Sequence, residues 1–250
     1  RNTFRFMLGN LKDNFEEQNF EKLNLEEFDE LERYILHKIY YLSQIVENNL
    51  KNYNFHKLYK ELLNFCTLDL SSFYFDIRKD VLYCDSLDSK KRKNCVIVLN
   101  VILESLLKWF APILVFTTDE IFSLINKGEK NIHEYSFVKV PKSWENRKLS
   151  EKWEQLFKIK QEANIAIEEK RTNKEIGSSL EAEIKLTVDN KKYELLKNLD
   201  LAEYFITSKA EKFLSKDGQT KIEVKKAKGD KCPRCWKILE QKCKRCSALV

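Results

Sequence analysis

Five glycines and three prolines are all that punctuate a chain of 250 residues. These two residues supply the left-handed and φ-locked conformations that reverse a backbone, so their scarcity leaves little room for turns. A sheet-rich chain needs a turn roughly every 8–12 residues. The expected fold is therefore mainly α, built from long helices. Hydrophobic residues make up 43% of the chain, enough for a sizeable core and too many for general disorder. One large core or two smaller ones are both accessible, since single cores stop growing at roughly 250–300 residues.

Periodicity locates the helices. Phe4, Leu8, Leu11 and Phe15 recur at helical spacing, and Leu31, Ile35, Ile39, Leu42, Val46 and Leu50 repeat the pattern over a longer stretch. Leu58, Leu62, Leu63 and Cys66 mark a third helix. Val96, Leu99, Leu103, Leu106 and Phe110 mark a fourth, which starts near Ser89 and stops before Pro112, where the ring removes a donor and clashes with the preceding turn. Thr117-Thr118-Asp119-Glu120 has the form of a capping box opening a further helix. Asn126 to Trp144, with Gly128 and Pro141, reads as a loop, and Leu149 to Arg171 resumes the helical period. Beyond Gly177 the pattern changes: Glu181 to Val188 alternates as a strand with one buried face does. Tyr193 to Leu199 reads as a short helix, and Tyr204 to Thr207 and Lys221 to Val224 as two further strands. The expected organisation is a helical bundle over 1–145, a small α+β region over 146–228 and a cysteine-rich tail over 229–250.

The net charge of +6 is unevenly placed. From Lys209 to Arg245 there are 13 Lys and Arg against 5 Asp and Glu, which leaves the rest of the chain slightly acidic. A basic tail on a near-neutral body suits a polyanionic partner, although a merely solubilising lysine-rich surface has the same composition. The longest apolar run, Trp109 to Phe116, contains Pro112 and falls far short of the about 20 residues that span a bilayer. No signal-peptide pattern opens the chain. A soluble, cytoplasmic protein with no membrane partner is expected. The chain opens at Arg1 with no initiator Met, so a piece of a longer protein is expected too.

The seven cysteines divide sharply. Cys66, Cys84 and Cys95 stand singly in helical sequence, where a buried thiol behaves as a small hydrophobe. Cys232, Cys235, Cys243 and Cys246 form C-x2-C-x7-C-x2-C. Two residues between thiols let a tight turn aim both sulfurs at one point, and two such turns complete a tetrahedron at about 2.3 Å from Zn2+. Four thiolates with no open position describe one structural zinc. Disulfides do not suit a cytosolic chain, a redox pair lacks its usual strand-to-helix setting, and an iron–sulfur cluster stays open although its usual spacings differ. Lys231, Arg234, Lys237, Lys242, Lys244 and Arg245 surround the cysteines. Trp236 follows the first pair, where it either stacks on an unpaired base or packs against the body.

Several runs carry a resemblance. Asn64-Phe65-Cys66-Thr67-Leu68-Asp69-Leu70-Ser71-Ser72-Phe73-Tyr74, followed by Asp76, Lys79-Asp80 and Leu82-Tyr83-Cys84-Asp85, resembles the anticodon-binding helical domain of bacterial isoleucyl-tRNA synthetases. Arg1 to Leu11 resembles the start of that domain, and Ala111-Pro112-Ile113-Leu114 with Phe116-Thr117 and Glu120-Ile121 resembles its later helix junction. Ile176 to Ala182 and Gly229 to Trp236 are similar to the family's C-terminal region and zinc-binding tail. The seven residues between the cysteine pairs are fewer than the family's pattern has, so a compact knob is expected. His-Ile-Gly-His-like and Lys-Met-Ser-Lys-Ser-like runs are absent from the sequence, as is an editing domain; the resemblance implies that these, with ATP and Mg2+, belong to a catalytic part upstream.

The resemblance therefore implies the anticodon-arm-binding, non-catalytic C-terminal part of a ligase that attaches isoleucine to tRNA(Ile) using ATP. It implies no obligate protein partner and a monomer. No residue of the chain is expected to be catalytic. Arg1, Arg5, Lys231, Arg234, Trp236, Lys237, Lys244 and Arg245 are the expected tRNA contacts. Asp69, Asp76, Lys79 and Asp80 are expected to hold helix junctions, and His37, His56 and His133 to be ordinary residues without partners. Two alternatives remain on the residues alone: a zinc-dependent DNA-binding or repair module, and a zinc-stabilised protein-interaction scaffold.

Overall fold

The computed structural model describes residues 1–11, 15–126 and 131–247. They fall into two compact units, one of Arg1–Leu82 with Ser86–Arg147, the other of Tyr83–Asp85 with Lys148–Val250.

The first unit is a bundle: α1 (Asn2–Leu11), α2 (Glu30–Lys51), α3 (Phe55–Asn64), α4 (Phe75–Cys84), α5 (Lys90–Phe110) and α6 (Val115–Ile125). Helix α5 begins where Ser89 accepts a hydrogen bond from the Arg92 amide at 3.4 Å. Val98, Leu99, Val101, Ile102, Leu103, Leu106 and Leu107 are all buried, so the middle of α5 is enclosed on every side and serves as the axis for α1, α2, α3 and α6. Asp29 opens α2, where Leu31, Ile35, Ile39, Leu42 and Val46 form the buried stripe that the spacing predicts. Phe15 lies outside α1, and Gly128 lies outside the described residues.

Between α3 and α4 the backbone widens into a π-helix, Phe65–Tyr74. Its signature is in the side chains as well: the hydroxyls of Ser71 and Ser72 reach back five residues to the carbonyls of Cys66 and Thr67, both at 2.8 Å. Such long π stretches are rare. Here the buried positions Phe65, Cys66, Leu70, Phe73 and Tyr74 also suit an ordinary helical period, so the spacing alone does not distinguish the stretch from an α-helix.

Two expectations for this unit need correction. The stretch Thr117–Glu120 is not a capping box: α6 already starts at Val115, and the Thr118 hydroxyl donates back to the Leu114 carbonyl at 3.0 Å, inside the helix. A capping box does form at Asn131, whose side chain takes the His133 amide while Glu134 takes the Asn131 amide. His37 has a partner after all. It is buried, and its Nδ1 accepts the Asn146 amide at 3.0 Å. Asp69 pairs with Lys38 of α2 at 3.1 Å, as expected of a residue that holds a helix junction, whereas Asp76 pairs with Lys79 three residues on, within α4 itself.

The second unit comprises α7 (Arg147–Thr172), a three-stranded sheet and the cysteine-rich tail. Strand β1 (Ala182–Val188) is central, with Ala182, Ile184, Leu186 and Val188 fully buried. Short helices α8 (Asn190–Leu195) and α9 (Leu201–Tyr204) carry the crossover to β2 (Lys209–Leu214), which pairs parallel to β1; β3 (Lys221–Lys226) pairs antiparallel on its other side. The expected strand at Tyr204–Thr207 is instead the end of α9 and its closing turn. Asp200 caps the helix by accepting the Glu203 amide, and Ile206 turns left-handed (φ 57°) so that the Thr207 amide reaches the Ala202 carbonyl at 2.9 Å. The apolar residues there face the core as a helix end, a role that local alternation cannot separate from a strand. Among the described residues no helix is long and apolar enough to cross a membrane.

Candidate metal centre and its basic surroundings

The tail is built from two tight turns held by a minimal ladder. Strands β4 (Asp230–Lys231) and β5 (Ile238–Leu239) pair antiparallel, and the Cys232 and Trp236 amides close the turn between them on the carbonyls of Lys237 and Cys232, each at 2.9 Å. Gly229 leads into β4 at φ +115°, and a Cβ there would lie 2.1 Å from the Leu239 carbonyl oxygen, so only glycine fits. Helix α10 (Lys244–Ser247) carries the last cysteine. Ser208 ties the ladder to the sheet: its hydroxyl donates to the Leu180 carbonyl and accepts the Ile238 amide at 2.6 Å.

This backbone brings the sulfurs of Cys232, Cys235, Cys243 and Cys246 within 4.8 Å of one another. The Cys235 and Cys243 sulfurs stand 3.9 Å apart. A tetrahedron with metal–sulfur bonds of about 2.3 Å has edges of about 3.8 Å, so the spacing fits four thiolates around one Zn2+. Three of the four are buried, and a tetrahedral ion held by all four would have no coordination position left over. Burial works against ionising Cys232, yet the amides of Cys235 and Arg234, aimed at its sulfur, outweigh burial and bring the thiol down to about 7. Burial raises the Cys235 and Cys246 thiols, which favours their neutral form, and a cation at the centre would favour the thiolates instead.

A fifth thiol packs beside them. Cys84 is buried in the same cluster, and its sulfur lies 3.9 Å from the Arg234 carbonyl. Its neighbours extend the contact: the Arg234 guanidinium donates to the Tyr83 carbonyl at 3.2 Å, and Arg245 pairs with Asp85 at 3.3 Å. Nothing in the local sequence separates Cys84 from Cys66, a buried thiol pushed up to about 12, because the contact spans about 150 positions.

The expected tRNA-contacting residues thus sort by environment. Arg234 and Arg245 direct one guanidinium nitrogen each to Tyr83 and Asp85. Lys231 and Lys244 are exposed and Lys237 is partly exposed. Trp236 is 60% exposed and stands in the left-handed region (φ 64°), projecting from the turn rather than packing beneath it. A cleft of about 680 Å3 opens beside the sulfurs, lined among others by Lys231, Arg234, Gln241 and Lys242. In the first unit, Arg1 is exposed with a 3.5 Å contact to Glu120, and Arg5 is exposed on α1.

Comparison with known proteins agrees with this architecture. Residues 32–186 match the family described as the anticodon-binding domain of tRNA ligase. The chain is similar to the isoleucine–tRNA ligase of Pelagibacter ubique, 55% identical over 245 residues that make up 98% of this chain and 27% of that protein. It is 36% identical over 249 residues to the isoleucine–tRNA ligase of Agrobacterium fabrum (95% of this chain, 25% of that protein). Against that of Crocosphaera subtropica it is 35% identical over 285 residues (100% and 30%). The chain spans only about a quarter to a third of the length of these relatives. The family match covers well over half of the chain, which therefore belongs to the anticodon-binding-domain family of tRNA ligases.

Proposed function

We propose that this chain is the tRNA-gripping C-terminal part of an isoleucine–tRNA ligase acting in the cytoplasm as a monomer, and that its four tail cysteines hold one structural Zn2+. ATP, Mg2+ and the joining of isoleucine to tRNA(Ile) belong to the rest of such an enzyme. The observation that carries the reading is the anticodon-binding family match over 32–186, on the same chain as a close-set group of four sulfurs. That match, rather than the basic charge, favours tRNA over duplex DNA or a protein partner.

Zinc fixes the turns of the knob, and its cations then meet RNA phosphates without a folding cost at the moment of binding. Lys231, Lys237 and Lys244 supply charge, Trp236 offers a face for an unpaired base, and Arg1 and Arg5 add to the grip from α1. Arg234 and Arg245 contribute to the field while holding the knob in shape.

Competition binding tests the reading. The zinc-loaded chain should prefer tRNA bearing an isoleucine anticodon over duplex DNA of equal length. Equal binding to duplex DNA, or no binding to nucleic acid, overturns it.

A further inference from the structure

Both cysteine turns of the tail share a feature that holding zinc does not require. They read Cys232-Pro233-Arg234-Cys235 and Cys243-Lys244-Arg245-Cys246, with an arginine immediately ahead of the second cysteine in each. A tetrahedral thiolate site asks only for the cysteines and a turn between them. The two arginines have one destination, the residues Tyr83, Cys84 and Asp85 at the end of α4 and just beyond it. The Arg234 guanidinium donates to the Tyr83 carbonyl at 3.2 Å, and that of Arg245 to the Asp85 carboxylate at 3.3 Å. In the middle of the segment Cys84, only 4% exposed, packs into the cluster of Cys232, Cys235 and Cys246, with its sulfur 3.9 Å from the Arg234 carbonyl. These three residues group with the second unit rather than with the rest of α4.

The contacts differ in weight. The Arg245–Asp85 pair is the stronger, because its side chains are only 32% and 15% exposed and a charge-assisted bond gains as water is excluded. The Arg234 bond is exposed and adds mainly direction. Strands β4 and β5 are fastened separately, where Ser208 bridges the Ile238 amide and the Leu180 carbonyl, so the segment holds the two cysteine turns and not the ladder. Two pairs of sulfurs lose conformational freedom when they are brought to one point, and an anchor common to both turns meets part of that cost in advance.

We infer that Tyr83–Asp85 is a positioning segment for the metal centre, a common peg that sets the two cysteine turns against each other with Arg234 and Arg245 as its arms. The inference rests on the zinc reading of the tail and deepens it, because the four ligands draw support from residues 150 to 160 positions away. Outer contacts that orient metal ligands tune affinity by about 10–100-fold. The arginines thereby part company with the lysines of the tail: their first task is the geometry of the turns.

The test uses the full chain with Zn2+ or Co2+ and no nucleic acid, so that a residue serving only as an RNA contact would leave every reading unchanged. Zinc affinity is measured by competition with a chromophoric chelator, and the visible absorption of the Co2+-loaded chain reports the arrangement of the sulfurs. Asp85→Asn and Arg245→Ala should each weaken zinc binding about tenfold and shift the cobalt bands. Together they should cost no more than either alone, since both break one contact. Exchanging the charges, Asp85→Arg with Arg245→Asp, should regain most of the loss. If the parent chain holds zinc and both single variants stay within twofold of it, the segment is no positioning element and the four-sulfur site stands. Weakened affinity with parent-like cobalt bands would make the contact a prop for the tail as a whole and overturn the positioning role. A parent chain that binds neither metal overturns both readings.

Discussion

Glu32 and Arg78 stand 46 positions apart and meet as a buried, two-pronged ion pair, Nε to Oε1 and Nη2 to Oε2, each at 2.6 Å. The Tyr74 hydroxyl adds a third bond to Glu32 at 3.2 Å, and burial pushes its pKa up, so it stays a donor. Such a pair contributes little over an apolar substitute, but removing one partner strands the other in the core. Glu32→Ala should therefore lower unfolding free energy by about 3–5 kcal/mol in urea titration. A loss below about 1 kcal/mol would mean that Asp29, 3.6 Å from the same guanidinium, takes over. At Gly229 the limit is steric. Gly229→Ala drives a methyl group into the Leu239 carbonyl at a strained φ, and should cost about 1–3 kcal/mol or more of the knob's stability together with its metal. Retention of full zinc content by that variant would show that β4 and β5 are dispensable. Cys232→Ser and Cys246→Ser should each abolish the expected stoichiometry of about one zinc per chain, measured by metal analysis.

At the scale of elements, the chain holds itself together through a few polar staples that titrate. His37 on α2 accepts the amide of Asn146, just ahead of α7, and burial, reinforced by the charge of Lys38, holds its pKa below the ordinary 6.5. The folded state thus binds this proton less tightly than the unfolded chain. Its contribution is complete above 6.5 and is lost as the pH falls toward and through the lowered value. Thermal melts should show the midpoint dropping as the pH falls below 6.5, and His37→Gln should remove that part of the drop. An unchanged pH profile in the variant would assign the acid sensitivity elsewhere. The α3–π–α4 run makes the complementary point about legibility. Leu58 and Leu62 announce its first part through their spacing, but nothing in the spacing marks the π stretch, where Ser71 and Ser72 bond five residues back. No local propensity encodes that geometry.

Across the whole chain, each unit has its own core, so metal and bundle should separate experimentally. Chelation should loosen the tail and leave the far-ultraviolet helical signal of the bundle largely intact; a global loss of helix would mean that zinc supports more than the knob. Affinity for tRNA should fall steeply with salt, and neutralising Lys231, Lys237 and Lys244 should each reduce the log–log slope by about 1. An unchanged slope would place the tail away from the interface. The sequence by itself determined what depends on short-range periodicity and spacing. That covers α2, α5, α7 and β1, because a 3.6- or 2-residue period buries one face whatever lies opposite, and it covers two thiol pairs, because two intervening residues fix a turn. Tertiary structure alone decided what depends on distant partners. It made Tyr204–Thr207 a helix end, seated Cys84 against the four sulfurs, tied Arg234 and Arg245 to Tyr83 and Asp85, and left Tyr53 and Phe55 facing solvent. Each of those outcomes is set by which side chain the folded backbone brings within a few ångströms, and a linear pattern carries no record of that distance.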